Sequence, residues 1–214
     1  MATYTVAKQF AWQGPLSERA VRMCRMFGLT VDRLTSAAPN QRCRVRIEPG
    51  DIVYILGPSG AGKSVLLREL QRCVPASDAI DLASIELPDD RTVIDCFDED
   101  LVASLQTLSL VGLGDVFSLL NRPSQLSDGQ KHRFRLARAL VSGRPFVFAD
   151  EFCSELDRIT AATVAFNVHR FARRTKATLI LASGRDDILI DLAPDVLIRK
   201  DFTGQAEVIY KDRA

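Results

Sequence analysis

Histidine is nearly absent. The 214-residue chain has two, His132 and His169, set far apart. Cysteine is sparse as well: five thiols, at 24, 43, 73, 96 and 153, odd in number, widely spaced and never in a CxxC pair. That pattern excludes a zinc cluster of ordinary ligand spacing and a disulfide framework, and it predicts reduced thiols in a cytoplasmic protein. Long apolar runs are missing too, and none approaches the roughly 18–20 residues of a membrane span. The opening MATYTVAKQF has no continuous apolar core, so a secretory signal is not expected. Charge of one sign is lacking, since 28 Lys+Arg and 27 Asp+Glu leave a net of +1. This excludes a histone-like basic protein and an acidic disordered chain. What is present is ordinary: 47% hydrophobic and 26% charged residues. A chain of this length buries roughly 70–75% of its unfolded surface and needs no metal or disulfide to hold it. One α/β domain is expected over residues 1–214.

The pattern along the chain alternates strands and helices. Residues 3–10 read as a strand, and 15–27 as a helix with apolar Leu16, Ala20, Cys24 and Phe27 at helical spacing. RCRVRIE (42–48) alternates Arg with apolar residues, as a half-wet strand does. DIVYIL (51–56) is apolar throughout, as a strand covered on both faces is. A helix is expected over 62–73, a strand at TVIDC (92–96), and helices over 99–109, 114–121 and 128–142. FVFAD (146–150) and ATLILA (177–182) read as buried strands, 158–174 and 186–192 as helices, and the tail as a β-hairpin. The expected fold is therefore α/β. A mainly parallel sheet is joined by an N-terminal antiparallel β region (about 1–56) and a short helical lobe (about 97–143).

Residues 57–64, GPSGAGKS, fit GxxxxGK[ST] between an apolar strand and a helix. That context defines a P-loop. Gly57, Gly60 and Gly62 permit the tight turn, and the backbone of Pro58, Ser59 and Ala61 completes the cradle. The following helix N-terminus favours an anion. Lys63 offers a charge to the β/γ-phosphates of ATP and Ser64 a hydroxyl to Mg²⁺. Asp150, ending the strand FVFAD, is the second expected Mg²⁺ contact, and Glu151 beside it is the expected general base.

LSDGQKHRFRLARAL (126–140) resembles the signature motif of ATP-binding-cassette (ABC) ATPases, with Leu126, Ser127, Gly129 and Gln130 matching and Asp128 in place of a glycine. Ser154-Glu155-Leu156-Asp157 resembles the family's D-loop. P-loop, signature, acidic strand end and D-loop stand in the family's order between residues 42 and 200. The resemblance implies an ATPase that dimerises head to tail around two ATP molecules. Ser127, Gly129 and Gln130 would then meet the nucleotide from across the interface, and Phe10 or Trp12 would stack on adenine unless both are core residues. Two of the family's groups have no match. LASGRDD (181–187) has Gly184 where the switch histidine usually stands, leaving Ser183 or Arg185 as alternatives. TVIDCFDED (92–100) occupies the Q-loop region, with Asp95 either a substitute contact or a plain loop carboxylate. Slow hydrolysis is the expected consequence.

Lys63 and Asp150 are separated by 87 residues, short for a transporter cassette. The chain thus looks more like stand-alone soluble ABC ATPases, coupled to a nucleic acid or a soluble protein. A transporter's ATP-binding subunit is the alternative, and a small-molecule P-loop kinase a weaker third. Two surfaces bear on the partner. Residues 17–47 hold seven Arg, of which Arg19, Arg22 and Arg25 share a helix face, and Lys131, Arg133, Arg135 and Arg138 follow the signature. Residues 78–100 carry nine acidic side chains against one Arg. Each surface is either a docking site or a solvated face.

Overall fold

The strand Ile52–Leu56 (β3) organises the molecule, since its alternate side chains enter two different cores. Ile52 and Tyr54 join one apolar cluster, Val53 and Ile55 the other. That is the period of two expected of a strand covered on both faces. The structure, a computed structural model, describes residues 2–8, 14–30, 41–202 and 206–212.

Element order within those residues is β1 (Ala2–Lys8), α1 (Glu18–Met26), β2 (Gln41–Ile47), β3, α2 (Lys63–Arg72), β4 (Ala79–Asp81), α3 (Leu101–Leu110), α4 (Val116–Leu120) and α5 (Asp128–Val141). Then come β5 (Phe146–Ala149), α6 (Arg158–Thr175), β6 (Thr178–Ser183), α7 (Leu189–Leu192), β7 (Val196–Lys200) and β8 (Ala206–Tyr210). Six strands form one sheet in the order β4-β5-β6-β3-β7-β8, parallel except for the final β7–β8 pair. β1 and β2 form a separate antiparallel pair, with Ala2 opposite Ile47. The Arg46 N–H donates to the Tyr210 hydroxyl at 2.9 Å and ties that pair to the sheet edge. Leu66, Leu67 and Leu70 of α2 cover one face of the large sheet, together with Cys43, Val45 and Ile47 of β2. α5 and α6 cover the other face, through Phe134, Leu136, Val164 and Val168.

The helix starts are legible in the sequence. Ser17, Asp100, Asp115, Ser127 and Asp157 each cap a helix by accepting a backbone N–H. α2 and the four-residue α7 have no side-chain cap. Among the described residues no helix is long and apolar enough to cross a membrane.

The acidic stretch departs from expectation. TVIDC is not a strand: Ile94–Cys96 is a single 3₁₀ turn. The Thr92 hydroxyl donates to the Asp95 carboxylate, and the Asp95 N–H donates back to that hydroxyl at 3.4 Å. This local pairing competes with a sheet ladder. The sheet edge is taken instead by the three-residue β4, too short to announce itself by alternation. Val93 and Phe97 bury themselves against the α5 side, Phe97 meeting Phe134 edge-on at 6.1 Å.

α3 carries no charged residue over its ten positions. Leu101 and Val102 are mostly exposed, and α3 and α6 flank an open hollow of about 900 Å³. Arg170 and Arg174 of α6 line that hollow. It is larger than the cleft described below, and none of the predicted site residues lies in it.

Phe134→Ala should lower the unfolding free energy by about 3–5 kcal/mol, because it deletes a 1%-exposed ring that joins α5 to the 3₁₀ turn. Urea denaturation measures this; a loss below about 1 kcal/mol would contradict the packing described.

Candidate active site

β5, β6 and β3 lie side by side and run parallel, so their C-terminal ends open on one edge. Ligands collect at such an edge in open α/β sheets. The segments leaving the three strands form a cleft of about 410 Å³. Ser59, Gly60, Gly62, Lys63 and Ser64 line it from β3, Asp150, Glu151 and Ser154 from β5, and Ser183 and Gly184 from β6.

The first loop is fixed by sterics. A Cβ on Gly57 would stand 2.3 Å from the Lys200 carbonyl oxygen, so only glycine lets the chain pass β7. Gly60 and Gly62 have φ of +81° and +84°, values that side chains rarely tolerate. Gly62 also gives α2 no side-chain cap, so the N–H groups of its first turn are left for an anion. Lys63 Nζ donates to the Pro58 carbonyl at 2.9 Å, reaching back over the loop. Gly57, Pro58 and Ala61 build the loop without lining the cleft.

The second segment is a strained turn. Glu151 and Cys153, neither of them glycine, have φ of +52° and +59°. Such backbone costs of order 1–3 kcal/mol per residue and persists only where surroundings enforce it. The enforcement is visible: Phe152 is fully buried, and its N–H donates to the Ala182 carbonyl at 2.9 Å. The result is that Glu151 stands exposed beside Asp150, whose carboxylate accepts the Glu151 N–H at 3.0 Å. Cys153 lies beneath; burial pushes its thiol up to about 12, so it offers no thiolate at neutral pH. Ser64 and Asp150 supply hard oxygen donors to one cleft, a set that suits Mg²⁺. Among the described residues no group of three or more His, Cys, Asp and Glu is arranged for a metal.

The signature segment lies elsewhere. None of Leu126–Gln130 lines the cleft. Ser127 and Gln130 form a capping box at the start of α5, and Gln130 Nε2 donates to the Ser118 hydroxyl at 2.8 Å. The Gln130 side chain is thus engaged within its own chain. Gly129 rests against the D-loop, where a Cβ would stand 3.6 Å from the Glu155 carbonyl oxygen.

Comparison with known proteins decides the class. The family model described as ABC transporter matches residues 41–111. The thiamine import ATP-binding protein ThiQ of Aliivibrio fischeri is 33% identical over 168 residues, covering 65% of this chain and 72% of that one. The aliphatic sulfonates import ATP-binding protein SsuB of Delftia acidovorans is 34% identical over 172 residues, covering 72% of this chain and 70% of that one. The chain belongs to the ABC ATPase family. A dimeric structure of the ATP-binding cassette MJ0796 bound to ADP and Pi shares the fold, with a TM-score of 0.60 at 19% identity over 78% of this chain and 88% of that one. So does cbiO1 of Clostridium perfringens, with a TM-score of 0.57 at 15% identity over 77% and 78% of the two chains.

This ABC ATPase departs from its sequence reading in several places. Arg185 does not point at the cleft; it pairs with Asp187 and donates to the carbonyls of Cys153 and Leu156. Asp95 is held by Thr92 and does not line the cleft. Phe10 and Trp12 lie outside the described residues. Of the α5 cations, Arg133 donates to the Gly129 and Gly112 carbonyls, Arg135 to Ile85 and Arg138 to Cys96. Those three therefore brace the fold and do not form a free phosphate-binding row. Tyr54 is a contributor that sequence reasoning missed. It reads as one more apolar strand residue, yet its hydroxyl donates to the Arg185 carbonyl at 2.6 Å.

Two glycine substitutions should separate sharply. Gly57→Ala drives a Cβ into Lys200 and should weaken binding of a fluorescent ATP analogue more than about tenfold, or about 1.4 kcal/mol. Gly184→Ala places a Cβ 3.5 Å from the Gly57 carbonyl oxygen, an ordinary contact, and should bind within about threefold of wild type. Equal affinities for the two variants would contradict this account of the loop.

Proposed function

We propose that this ATPase binds Mg²⁺-ATP in the three-strand cleft, closes as a head-to-tail homodimer and serves as the ATP-binding subunit of a transport complex. The observation that carries the reading is the convergence of Lys63, Ser64, Asp150 and Glu151 on one cleft. Lys63 and the α2 N–H groups neutralise the phosphates. Ser64 and Asp150 hold Mg²⁺, which supplies charge neutralisation to the phosphate oxygens when bound. Glu151 orients the attacking water and takes its proton. Ser127 and Gly129 lie outside their own chain's cleft; in the proposed head-to-tail dimer they would reach the nucleotide of the second copy. Gln130 supports that segment through the capping box.

Support for a transport partner comes from the relatives named as import ATP-binding proteins. The uncharged, exposed face of α3 beside the hollow provides apolar area for a partner subunit. A soluble protein partner is the second reading, favoured by the 87-residue span between Lys63 and Asp150. A nucleic-acid partner has less support, because Arg133, Arg135 and Arg138 are engaged internally.

Glu151→Gln should be a dimer with Mg²⁺-ATP and a monomer with Mg²⁺-ADP or without nucleotide, with turnover reduced about 100-fold or more, as for loss of a general base. Size-exclusion chromatography with light scattering reads the first effect and phosphate release the second. A monomer under all three conditions would sink the sandwich. Lys63→Ala should lose nucleotide binding; unchanged affinity would overturn the phosphate assignment.

A further inference from the structure

The residue after Gly184 is built into three segments at once. The Arg185 guanidinium meets the Asp187 carboxylate side by side, Nε at 3.0 Å and Nη2 at 2.7 Å. Its remaining terminal nitrogen, Nη1, donates to the Cys153 carbonyl at 3.1 Å and to the Leu156 carbonyl. Those two carbonyls bracket Ser154 and Glu155 of the D-loop. The Arg185 backbone is held as well: its N–H donates to the Ser183 hydroxyl at 3.3 Å, and its carbonyl accepts the Tyr54 hydroxyl at 2.6 Å. The side chain is about four-fifths buried, with 19% relative exposure.

These contacts join the cleft to the D-loop. Ser183 and Gly184 line the cleft on one side of Arg185. Ser154 lines it from the D-loop, and the Ser154 and Ser183 hydroxyls stand 3.4 Å apart. Glu155, next in the D-loop, packs against Gly129 of the signature segment. The chain of contacts therefore runs from the end of β6, through one guanidinium, to the D-loop and on to the start of α5. A planar fork is suited to this, because it holds a carboxylate and carbonyls in fixed directions that an ammonium cannot match. The Asp187 carboxyl sits below the usual carboxylate range, first because Arg185 donates to it, so the pair stays charged at neutral pH.

We infer that Arg185 is a positioning residue for hydrolysis, locking the D-loop to the cleft wall so that Ser154, Glu151 and the signature segment of the same chain move as one unit. The inference rests on the ATPase reading above. None of the hydrogen bonds and ion pairs of Arg185 described above goes to residues 57–64, so its loss leaves ATP capture intact and disorders the register between the two halves of the site. The Arg185 side chain fixes this loop.

The test compares Arg185→Ala and Arg185→Lys with wild type. Steady-state hydrolysis should show kcat reduced about tenfold or more in Arg185→Ala, with KM for ATP within about threefold. Equilibrium binding of a fluorescent ATP analogue should likewise be unchanged. Arg185→Lys keeps the charge beside Asp187 but loses the fork, and should recover less than half of the lost kcat. In the Glu151→Gln background, Arg185→Ala should shift the ATP-dependent dimer toward monomer. Wild-type kcat in both variants overturns the inference. Full recovery in Arg185→Lys overturns the clamp as well, since charge alone would then suffice. A matched loss of kcat, ATP affinity and thermal midpoint also counts against it, because that is general destabilisation. If Arg185→Ala does not fold, the lysine variant decides by the same kcat and KM criteria. Absence of ATP hydrolysis in wild type, or of a dimer in Glu151→Gln alone, marks failure of the earlier reading instead.

Discussion

Three parallel strands ending at one edge is the constraint on which everything else depends. β5, β6 and β3 are hydrogen-bonded neighbours, with Phe148 level with Ile180 and Ile55 level with Ala182. Because the strands run the same way, residues far apart in sequence leave the sheet together. The P-loop, the Asp150–Glu151 turn and the Ser183–Gly184 loop thereby share a cleft without direct sequence proximity. Both faces of those strands are buried, which fixes the register: a slip of one residue would exchange the two cores.

Strain and capping then sharpen the site. Among the described residues α2 is the helix of more than one turn whose start has no side-chain cap, and it begins at the glycine-rich loop that lines the cleft. The two left-handed residues, Glu151 and Cys153, flank the fully buried Phe152, so core packing holds the backbone in an unfavourable shape. The same arrangement presents Glu151 to the cleft and hides a cysteine. Stability of the interior and geometry of the site are therefore one problem at this turn.

Much of this was legible because it rests on local chemistry. Glycine spacing marks the P-loop, Ser and Asp mark helix starts, and unbroken apolar runs mark the central strands. Less legible features depend on partners distant in sequence. The three-residue β4 exists because β5 offers it an edge, and TVIDC turns because Thr92 and Asp95 find each other first. Nothing in the string of residues separates Arg185 from the other arginines; its hydrogen bonds go to carbonyls about thirty residues upstream. The α5 arginines mislead for the same reason. Their charge is visible in sequence, but the carbonyls they brace are not.

One feature bears on handling the protein at the bench. α3 exposes Leu101, Val102 and part of Leu105 on a helix with no charge to keep copies apart. The chain purified alone presents that apolar patch to its neighbours. Yield and shelf life should therefore improve when lysine or glutamate replaces Leu101. Losses on concentrating the chain would then report on this exposed face and not on a defective fold.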